Sequence, residues 1–214
     1  MRPDVIWCDF GGVLTPPVDE AARAVALAAG IPWEVLWGAA QRVAEELGLT
    51  GLQPLELGLI SQREWGSRLA ARLPRGCEPR VDLGNWGDYW YQDRPVDQDL
   101  LDELELLKAW GTRLGMLTNS VSEWEEHRQR LLGDRAAIFE AFVRSHEIGV
   151  AKPDPRIFAY AEAWMRPGDA PPLLIDDSLE NCAAASRAGW MSHHHRDREE
   201  TIARLRSLRD ADAE

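Results

Sequence analysis

Val5-Ile6-Trp7-Cys8-Asp9-Phe10-Gly11-Gly12-Val13-Leu14-Thr15 is the stretch that decides the fold. Its apolar residues 5–8 end abruptly at a carboxylate, and two glycines follow shortly after. A short apolar run bounded by turn residues indicates a buried strand. Strands that are apolar on both faces are typical of parallel sheets. The stretch therefore predicts a central strand with Asp9 at its carboxyl end.

Three further apolar runs along the chain end at polar residues in the same way. They are 114–117 before Thr118 and Asn119, 141–143 before Ser145, and 173–175 before Asp176 and Asp177. Helical patterns separate them, at 97–110, 122–132, 157–164 and 178–188. Ser120 and Ser122, each three residues before a glutamate, predict a capping box at the start of 122–132. The alternation of strand and helix predicts an α/β fold with a doubly wound parallel sheet.

Residues 16–95 interrupt this alternation. Their pattern predicts helices at 20–29, 32–47, 62–73 and 85–91 and contains no convincing strand. About eighty residues are too many for a simple crossover between two strands. We therefore predict a core formed by 1–15 and 96–214, with 16–95 inserted as a helical cap over the carboxyl edge of the sheet. A single domain with a long, irregular first crossover is the alternative.

The charge and the cysteines restrict the class of protein. The chain of 214 residues carries a net charge of −12, which repels phosphate backbones and anionic lipids. We thus expect neither a nucleic-acid nor a membrane partner. The three cysteines are an odd number without paired spacing, which is typical of a reducing compartment. The apolar run before Asp9 is too short for a signal peptide, so the sequence predicts a cytoplasmic protein, monomeric or homodimeric.

The polar residues at the strand ends predict a binding crevice. Ligands of open parallel sheets bind beyond the carboxyl ends of the strands, where Asp9, Thr118, Asp176 and Asp177 would meet. Each of them alone has a structural explanation as a turn or helix cap. Together they offer a carboxylate that can attack an electrophile and a carboxylate pair suited to Mg²⁺. Lys152, which lies among small and rigid residues, would balance their charge.

At this point the sequence resembles a known family, the haloacid dehalogenase-like (HAD) hydrolases. The resemblance rests on four ordered motifs that span most of the chain. They are Asp9-Phe10-Gly11-Gly12-Val13-Leu14-Thr15, Leu117-Thr118-Asn119, Lys152-Pro153-Asp154-Pro155-Arg156-Ile157-Phe158 and Ile175-Asp176-Asp177-Ser178-Leu179-Glu180-Asn181. It implies a Rossmann-like core with a type C1 cap, which the segment Glu56-Leu57-Gly58-Leu59-Ile60-Ser61 also resembles. The branch most similar contains phosphatases and the N-terminal domains of epoxide hydrolases.

The resemblance also implies a role for each motif residue. Asp9 would be the nucleophile, and Asp9, Asp177 and the carbonyl of Gly11 would bind Mg²⁺. Asp176 would position Lys152 or a metal-bound water. Thr118, Asn119 and Lys152 would hold the transferring phosphoryl group. Cap aromatic residues, Trp86 and Trp90 among them, would line the pocket for the rest of the substrate or simply form the cap's own core.

Gly11 is a departure from the family pattern. Most phosphatases of the family have at this position a second Asp, which protonates the leaving oxygen. Either another group supplies the proton, for which His146, Glu147 and a cap residue are candidates, or the substrate has a good leaving group, or the activity is weak or lost.

We expect a Mg²⁺-dependent hydrolase that acts on a small phosphorylated metabolite through phospho-Asp9. One alternative is a metal-independent dehalogenase of the haloacid type, because a halide leaves without protonation and Gly11 would be tolerated. The other is a catalytically weak or inactive domain that binds a phosphorylated ligand or a partner.

Overall fold

The computed structural model describes residues 2–210 and contains a parallel sheet of five strands in the order β3-β2-β1-β4-β5. The strands are β1 Val5–Cys8, β2 Arg113–Thr118, β3 Ala141–Arg144, β4 Leu173–Asp176 and β5 Met191–His194. The chain adds β2 and β3 on one side of β1 and then crosses to add β4 and β5 on the other. Such a reversal leaves a crevice at the carboxyl ends of the strands.

The central strand β1 is buried on both faces, as its apolar sequence predicts. Ile6 and Cys8 belong to the apolar cluster on one face of the sheet, and Val5 and Trp7 belong to the cluster on the other. Successive side chains of a strand point to opposite faces, so all four residues lose contact with water. This two-sided burial fixes the register of β1 and with it the position of Asp9, the next residue.

The insertion between β1 and β2 begins with five helices. They are α1 Val18–Ala29, α2 Trp33–Glu45, α3 Gln53–Glu56, α4 Gln62–Ala70 and α5 Trp86–Trp90. Residues 16–95 are all described and hold no strand, as their pattern predicts. Apolar residues of these helices form one continuous buried cluster with one face of the sheet. The division into a separate core and cap stays a prediction.

Within residues 2–210, six further α-helices complete the fold. They are α6 Gln98–Ala109, α7 Glu125–Leu132, α8 Ser145–Ile148, α9 Pro155–Trp164, α10 Leu179–Arg187 and α11 Arg198–Asp210. Apolar residues of α6 and α11 pack on one face of the sheet, and those of α9 and α10 on the other. The predicted α/β fold with a doubly wound parallel sheet is thus confirmed. Among residues 2–210, no helix combines the length and apolarity needed to cross a bilayer.

The capping box predicted for the segment 122–132 is wrong. This segment opens with a 3₁₀ turn, Ser122–Trp124, and no side chain caps either the turn or α7. The Ser120 hydroxyl instead contacts Nδ1 of His146 at 2.8 Å, and the Glu125 carboxylate binds Arg128 and Arg144. The Ser120 hydroxyl and the Glu125 carboxylate, which a capping box would have used, therefore bind other side chains instead.

Trp7 and Gly115 generate a testable prediction about the core. The two residues are partners across β1 and β2, and a Cβ on Gly115 would lie 2.4 Å from the Trp7 ring. Because Trp7 is fully buried, the ring has no space to move into. We expect Gly115→Ala to lower the free energy of unfolding by about 1–3 kcal/mol through overpacking, as measured by denaturant unfolding.

Gly38→Ala is the matched control. Gly38 lies inside α2, and a Cβ there would meet only the Arg42 guanidinium, at an ordinary 3.5 Å. The same substitution should raise the free energy of unfolding by about 0.5–1 kcal/mol, since alanine loses less backbone entropy in a helix. Equal effects of the two substitutions would contradict this account of the Trp7–Gly115 contact.

Candidate active site

Lys152 lies at the centre of the candidate site and is buried. Its Nζ is 2.6 Å from Asp176 Oδ2 and 3.1 Å from Asp9 Oδ2, and it donates a hydrogen bond of 2.7 Å to the Leu117 carbonyl. An ammonium group has three protons to donate, and these three acceptors match them. Burial acts against the charge, but Asp176 and Asp9 outweigh it and raise the pKa of Lys152.

Asp9 follows β1 directly and is held on two sides. Its backbone N–H donates to the Ile175 carbonyl at 2.9 Å, and its Oδ1 accepts from the Phe10 N–H at 2.7 Å. Burial raises the pKa of Asp9 to about 7, against the opposing effect of Lys152. A nucleophilic carboxylate must be ionised, so this side chain needs further positive charge beside it when it reacts.

Asp176 is the partner that fixes Lys152. One of its oxygens binds the lysine, and the other accepts hydrogen bonds of 2.9 Å from the Ser178 N–H and from Nδ2 of Asn181. Ser178 is also the N-cap of α10, where its hydroxyl accepts from the Asn181 N–H. Both oxygens of Asp176 are thus engaged by the protein itself. The positioning role that the resemblance implies for Asp176 stays a prediction.

Asp177 occupies a space that only glycine leaves open. A Cβ on Gly12 would lie 2.1 Å from Asp177 Oδ2, and Gly12 has a positive φ of 77°. The motif glycine therefore serves two purposes, since it forms the turn after Asp9 and lets the Asp177 carboxylate approach the backbone. Burial, with Asp176 second, raises the pKa of Asp177.

The donor set fits a divalent cation. Oxygens of Asp9, Asp176 and Asp177 lie within 4.8 Å of one another. Three carboxylates face the single positive charge of Lys152, and hard oxygen ligands are those that Mg²⁺ prefers. Asp176 is fully buried and accepts from three protein donors, so Asp9 and Asp177, with the carbonyl predicted at Gly11, are the groups that would hold the ion.

Thr118 and Asn119 have different surroundings. Thr118 ends β2 and is buried at the edge of a cavity. The side-chain amide of Asn119 makes two hydrogen bonds with the main chain of Lys152. Its Nδ2 donates to the Lys152 carbonyl at 3.0 Å, and its Oδ1 accepts from the Lys152 N–H at 2.8 Å. Asn119 therefore holds the loop that carries Lys152. This leaves its backbone available for the phosphoryl contact that the resemblance implies for Asn119, which stays a prediction.

Beside Gly11, a side chain would meet one atom of the insertion at close range. A Cβ on Gly11 would lie 3.2 Å from Cγ2 of Val18, the first residue of α1. An acidic side chain at position 11 would thus require Val18 to move. The absence of the family's second Asp is matched by the local packing.

Two spaces open between the sheet edge and the insertion. The first, here the inner cavity, has a volume of about 60 Å³; Gly11, Thr118 and Asn119 line it from the sheet side, and Glu56 and Trp90 from the insertion. The second, here the aromatic pocket, has a volume of about 430 Å³ and is lined by Trp33, Trp37, Leu52, Trp90 and Asp177, among others.

The aromatic residues of the pocket differ in part from the predicted ones. Trp90 lines both spaces, as expected. Trp86 does not, because it is fully buried and packs edge-on against Trp65 inside the insertion. Trp33 and Trp37 line the pocket instead, with ring centroids 5.0 Å apart. Their spacing of four residues on a predicted helix was the available signal, because it places both on one face.

His146 and Glu147, the candidates for a replacement acid after β3, are engaged elsewhere. His146 contacts the Ser120 hydroxyl through Nδ1, and burial lowers its pKa. Glu147 accepts a hydrogen bond of 3.0 Å from Arg144. Neither residue lines the inner cavity or the aromatic pocket.

Comparisons with known proteins identify the family of the chain. The family model for haloacid dehalogenase-like hydrolases matches residues 3–189. Pyrimidine 5'-nucleotidase YjjG of Escherichia coli (strain K12) is 35% identical over 97 residues. That match covers 42% of this chain and 43% of the relative, less than half the relative's length.

Solved structures share the fold. The HAD family enzyme bt-2542 of Bacteroides thetaiotaomicron, in complex with magnesium and inorganic phosphate, has a TM-score of 0.65 at 20% identity, over 92% of this chain and 98% of that one. L-2-haloacid dehalogenase from Xanthobacter autotrophicus has a TM-score of 0.63 at 19% identity, over 94% and 81%. The confirmed sheet and the family match together bear out the resemblance drawn from the four motifs.

The cation site leads to a test that does not require a substrate. We expect Asp177→Asn to raise the dissociation constant for Mg²⁺ at least about tenfold, since even outer-shell partners of a metal contribute 10–100-fold to affinity. Isothermal titration calorimetry measures this value. Asp134→Asn, at an exposed aspartate of the 3₁₀ turn Gly133–Ile138, is the control and should bind Mg²⁺ as the wild type does. Unchanged affinity in Asp177→Asn would remove this residue from the site.

Proposed function

Because the chain belongs to the haloacid dehalogenase-like hydrolases, we propose that it is a Mg²⁺-dependent phosphatase. Its substrate is a small phosphorylated metabolite, and the reaction passes through a phospho-aspartyl intermediate on Asp9. The observation that carries the proposal is the placement of Asp9 between the Lys152 ammonium, 3.1 Å away, and the cation-binding carboxylate of Asp177. A carboxylate beside an ammonium group, and beside a second carboxylate that could hold a cation, is suited to attack an anionic phosphate ester.

The residues divide the chemistry between them. An oxygen of Asp9 attacks phosphorus, and the bond from phosphorus to the leaving oxygen breaks. The Thr118 hydroxyl, the Asn119 backbone and Lys152 hold the phosphoryl oxygens through this transfer. Water then attacks the phosphorus of phospho-Asp9, releasing phosphate and restoring the carboxylate. Mg²⁺, held by Asp9, Asp177 and the Gly11 carbonyl, would neutralise the charge on the phosphoryl group.

The aromatic pocket is the proposed place for the organic part of the substrate. It extends from Asp177 to Trp33, Trp37 and Trp90, so a group attached to the phosphate has indole surfaces to contact. Aromatic side chains bind flat or apolar groups with a large buried area. The likeness to a pyrimidine 5'-nucleotidase makes nucleoside monophosphates a natural part of any substrate panel.

A metal-independent dehalogenase is the second candidate, and Gly11 is the observation that favours it. A halide departs without a proton, so the missing acid would not matter. The close approach of the Asp177 carboxylate to Gly12 favours the phosphatase, because a carboxylate cluster needs a cation to offset its charge.

A domain that binds phosphorylated ligands without turnover is the third candidate. A cytoplasmic location, which the three free cysteines favour, belongs to the same proposal.

The Asp9→Asn variant tests the proposed function. We expect the wild-type protein with Mg²⁺ to release phosphate from at least one member of a panel of sugar phosphates, nucleoside monophosphates and acyl phosphates. Asp9→Asn should release none, because an amide is not a nucleophile at neutral pH, and EDTA should stop the wild type. Phosphate is measured colorimetrically, and halide release from 2-haloacids is followed in parallel. Halide release that survives EDTA would replace this proposal with the dehalogenase, and binding without any turnover would replace it with the third candidate.

Trp37→Ala tests the aromatic pocket. We expect KM for the best substrate to rise about tenfold, the equivalent of 1.4 kcal/mol of binding, with kcat within about twofold. Trp164→Ala is the matched control, because Trp164 is 60% exposed at the end of α9 and lines neither the aromatic pocket nor the inner cavity. Steady-state kinetics should show the control unchanged; equal KM values for the two variants would contradict the assignment of the pocket.

A further inference from the structure

The reaction proposed above leaves one proton unaccounted for. An alkoxide is a poor leaving group, and general acid catalysis of its departure contributes about 10²–10⁴ in rate. Gly11 has no side chain to donate a proton, and a Cβ there would lie 3.2 Å from Cγ2 of Val18. We propose that Glu56, a residue of the insertion, protonates the leaving oxygen across the inner cavity. This inference rests on the proposed phosphatase function.

The position of Glu56 is the main argument. Glu56 lines the inner cavity together with Gly11, Thr118 and Asn119, the residues expected around the phosphoryl group. A phosphate ester held there would direct its leaving oxygen away from Asp9, since the attacking and leaving oxygens lie in line. That direction leads from the sheet edge toward the insertion.

Other titratable groups at this cavity are unsuited to the task. Arg128 is buried and donates to the Tyr91 hydroxyl, the Val121 carbonyl and Glu125, and a guanidinium does not release its proton at neutral pH. Burial raises the pKa of Tyr91 above its ordinary value of 10. Within residues 2–210, Glu56 is the one carboxylic acid among the side chains that line the inner cavity.

Glu56 is anchored to the sheet side of the molecule although it belongs to the insertion. Its carbonyl accepts a hydrogen bond of 2.6 Å from the Ser145 hydroxyl, which in turn accepts one of 2.8 Å from the Ser120 N–H. Two residues later, Gly58 has a φ of 66°, and a Cβ there would lie 3.0 Å from the His146 carbonyl. The loop therefore packs directly on α8, which fixes the backbone of Glu56 relative to Thr118.

The protonation state also suits an acid. Burial raises the pKa of Glu56 to about 7, and Lys152 and Arg128 oppose this effect without abolishing it. The protonated form is therefore more favoured than in an exposed glutamate. A general acid is most effective when its pKa lies near the working pH.

In the proposed step, the proton of Glu56 passes to the leaving oxygen as the ester bond breaks. Asp9 forms its bond to phosphorus, the bond from phosphorus to the leaving oxygen breaks, and that oxygen takes the proton of the Glu56 carboxyl. The products are an alcohol, phospho-Asp9 and a Glu56 carboxylate. In the second half-reaction this carboxylate accepts a proton from the attacking water, which restores the starting state. The overall reaction consumes one ester and one water and needs no other reactant.

Glu56→Gln tests the proposal by the dependence of rate on the leaving group. For an alkyl phosphate, whose alkoxide needs a proton, we expect kcat/KM to fall at least about 100-fold. For p-nitrophenyl phosphate, whose phenolate leaves unprotonated, we expect kcat/KM to change by less than about fivefold. The quantity kcat/KM isolates the steps up to departure of the alcohol, so the second half-reaction does not disturb the comparison.

The controls separate this inference from the proposed function. Glu34→Gln makes the same change at an exposed glutamate of α2 and should leave both esters unaffected. Glu56→Asp, which keeps an acid, should recover part of the alkyl-ester rate. Equal losses on both esters in Glu56→Gln, or no loss on either, would overturn the role of Glu56 while Asp9-dependent release kept the proposed function intact. If the wild type released phosphate from neither these two esters nor any member of the panel, both the role of Glu56 and the proposed function would be overturned.

Discussion

One buried ammonium group holds the candidate site together. Lys152 contacts Asp9 after β1, the Leu117 carbonyl in β2 and Asp176 at the end of β4, so it joins three neighbouring strands. Cys8 is in register with Met116 of β2 and with Ile175 of β4. The three acceptors come directly after these three residues, so they lie at the same level of the sheet. Moving any of the strands by one residue would remove an acceptor and turn its side chains to the opposite face.

The same interaction explains why the site can be both buried and charged. Two carboxylates without a partner in this environment would be strongly destabilising, by about 3–5 kcal/mol for a broken buried pair. The positive charge of Lys152 offsets the negative charges of Asp9 and Asp176. Asp177 has no such ion pair with Lys152. The excess negative charge is what a divalent cation would neutralise. Stability and cation binding therefore depend on the same set of side chains.

Much of this arrangement was predictable from sequence, because strand ends are local signals. Apolar runs that stop at polar residues predicted β1, β2 and β4, and with them Asp9, Thr118, Asp176 and Asp177. The meeting of these residues needed only the rule that parallel strands end at one edge. The engagement of the Asn119 side chain by the Lys152 loop was not predictable, because it depends on how two segments far apart in the chain pack.

The insertion was harder to interpret for the same reason. Its aromatic residues share one composition, but Trp86 is enclosed by other parts of the insertion while Trp33 and Trp37 face a pocket. Only the packing of α1–α5 decides between these outcomes. Glu56 carried a weak signal, in the segment from Glu56 to Ser61 that resembles the family's cap. Glu56 lines the same cavity as Gly11 because that loop contacts α8, and no periodicity in the sequence predicts this contact.

The central claim is that Asp9 carries the phosphoryl group during the reaction. To test this, the enzyme is mixed rapidly with its best substrate and Mg²⁺ and quenched in acid. The peptides are then examined by mass spectrometry, because acid preserves an acyl phosphate long enough for analysis. We expect one phosphoryl group on the peptide that contains Asp9, formed before free phosphate is released and absent from Asp9→Asn. Release of phosphate with the phosphoryl group on another residue, or with none on the protein at any quench time, would contradict it.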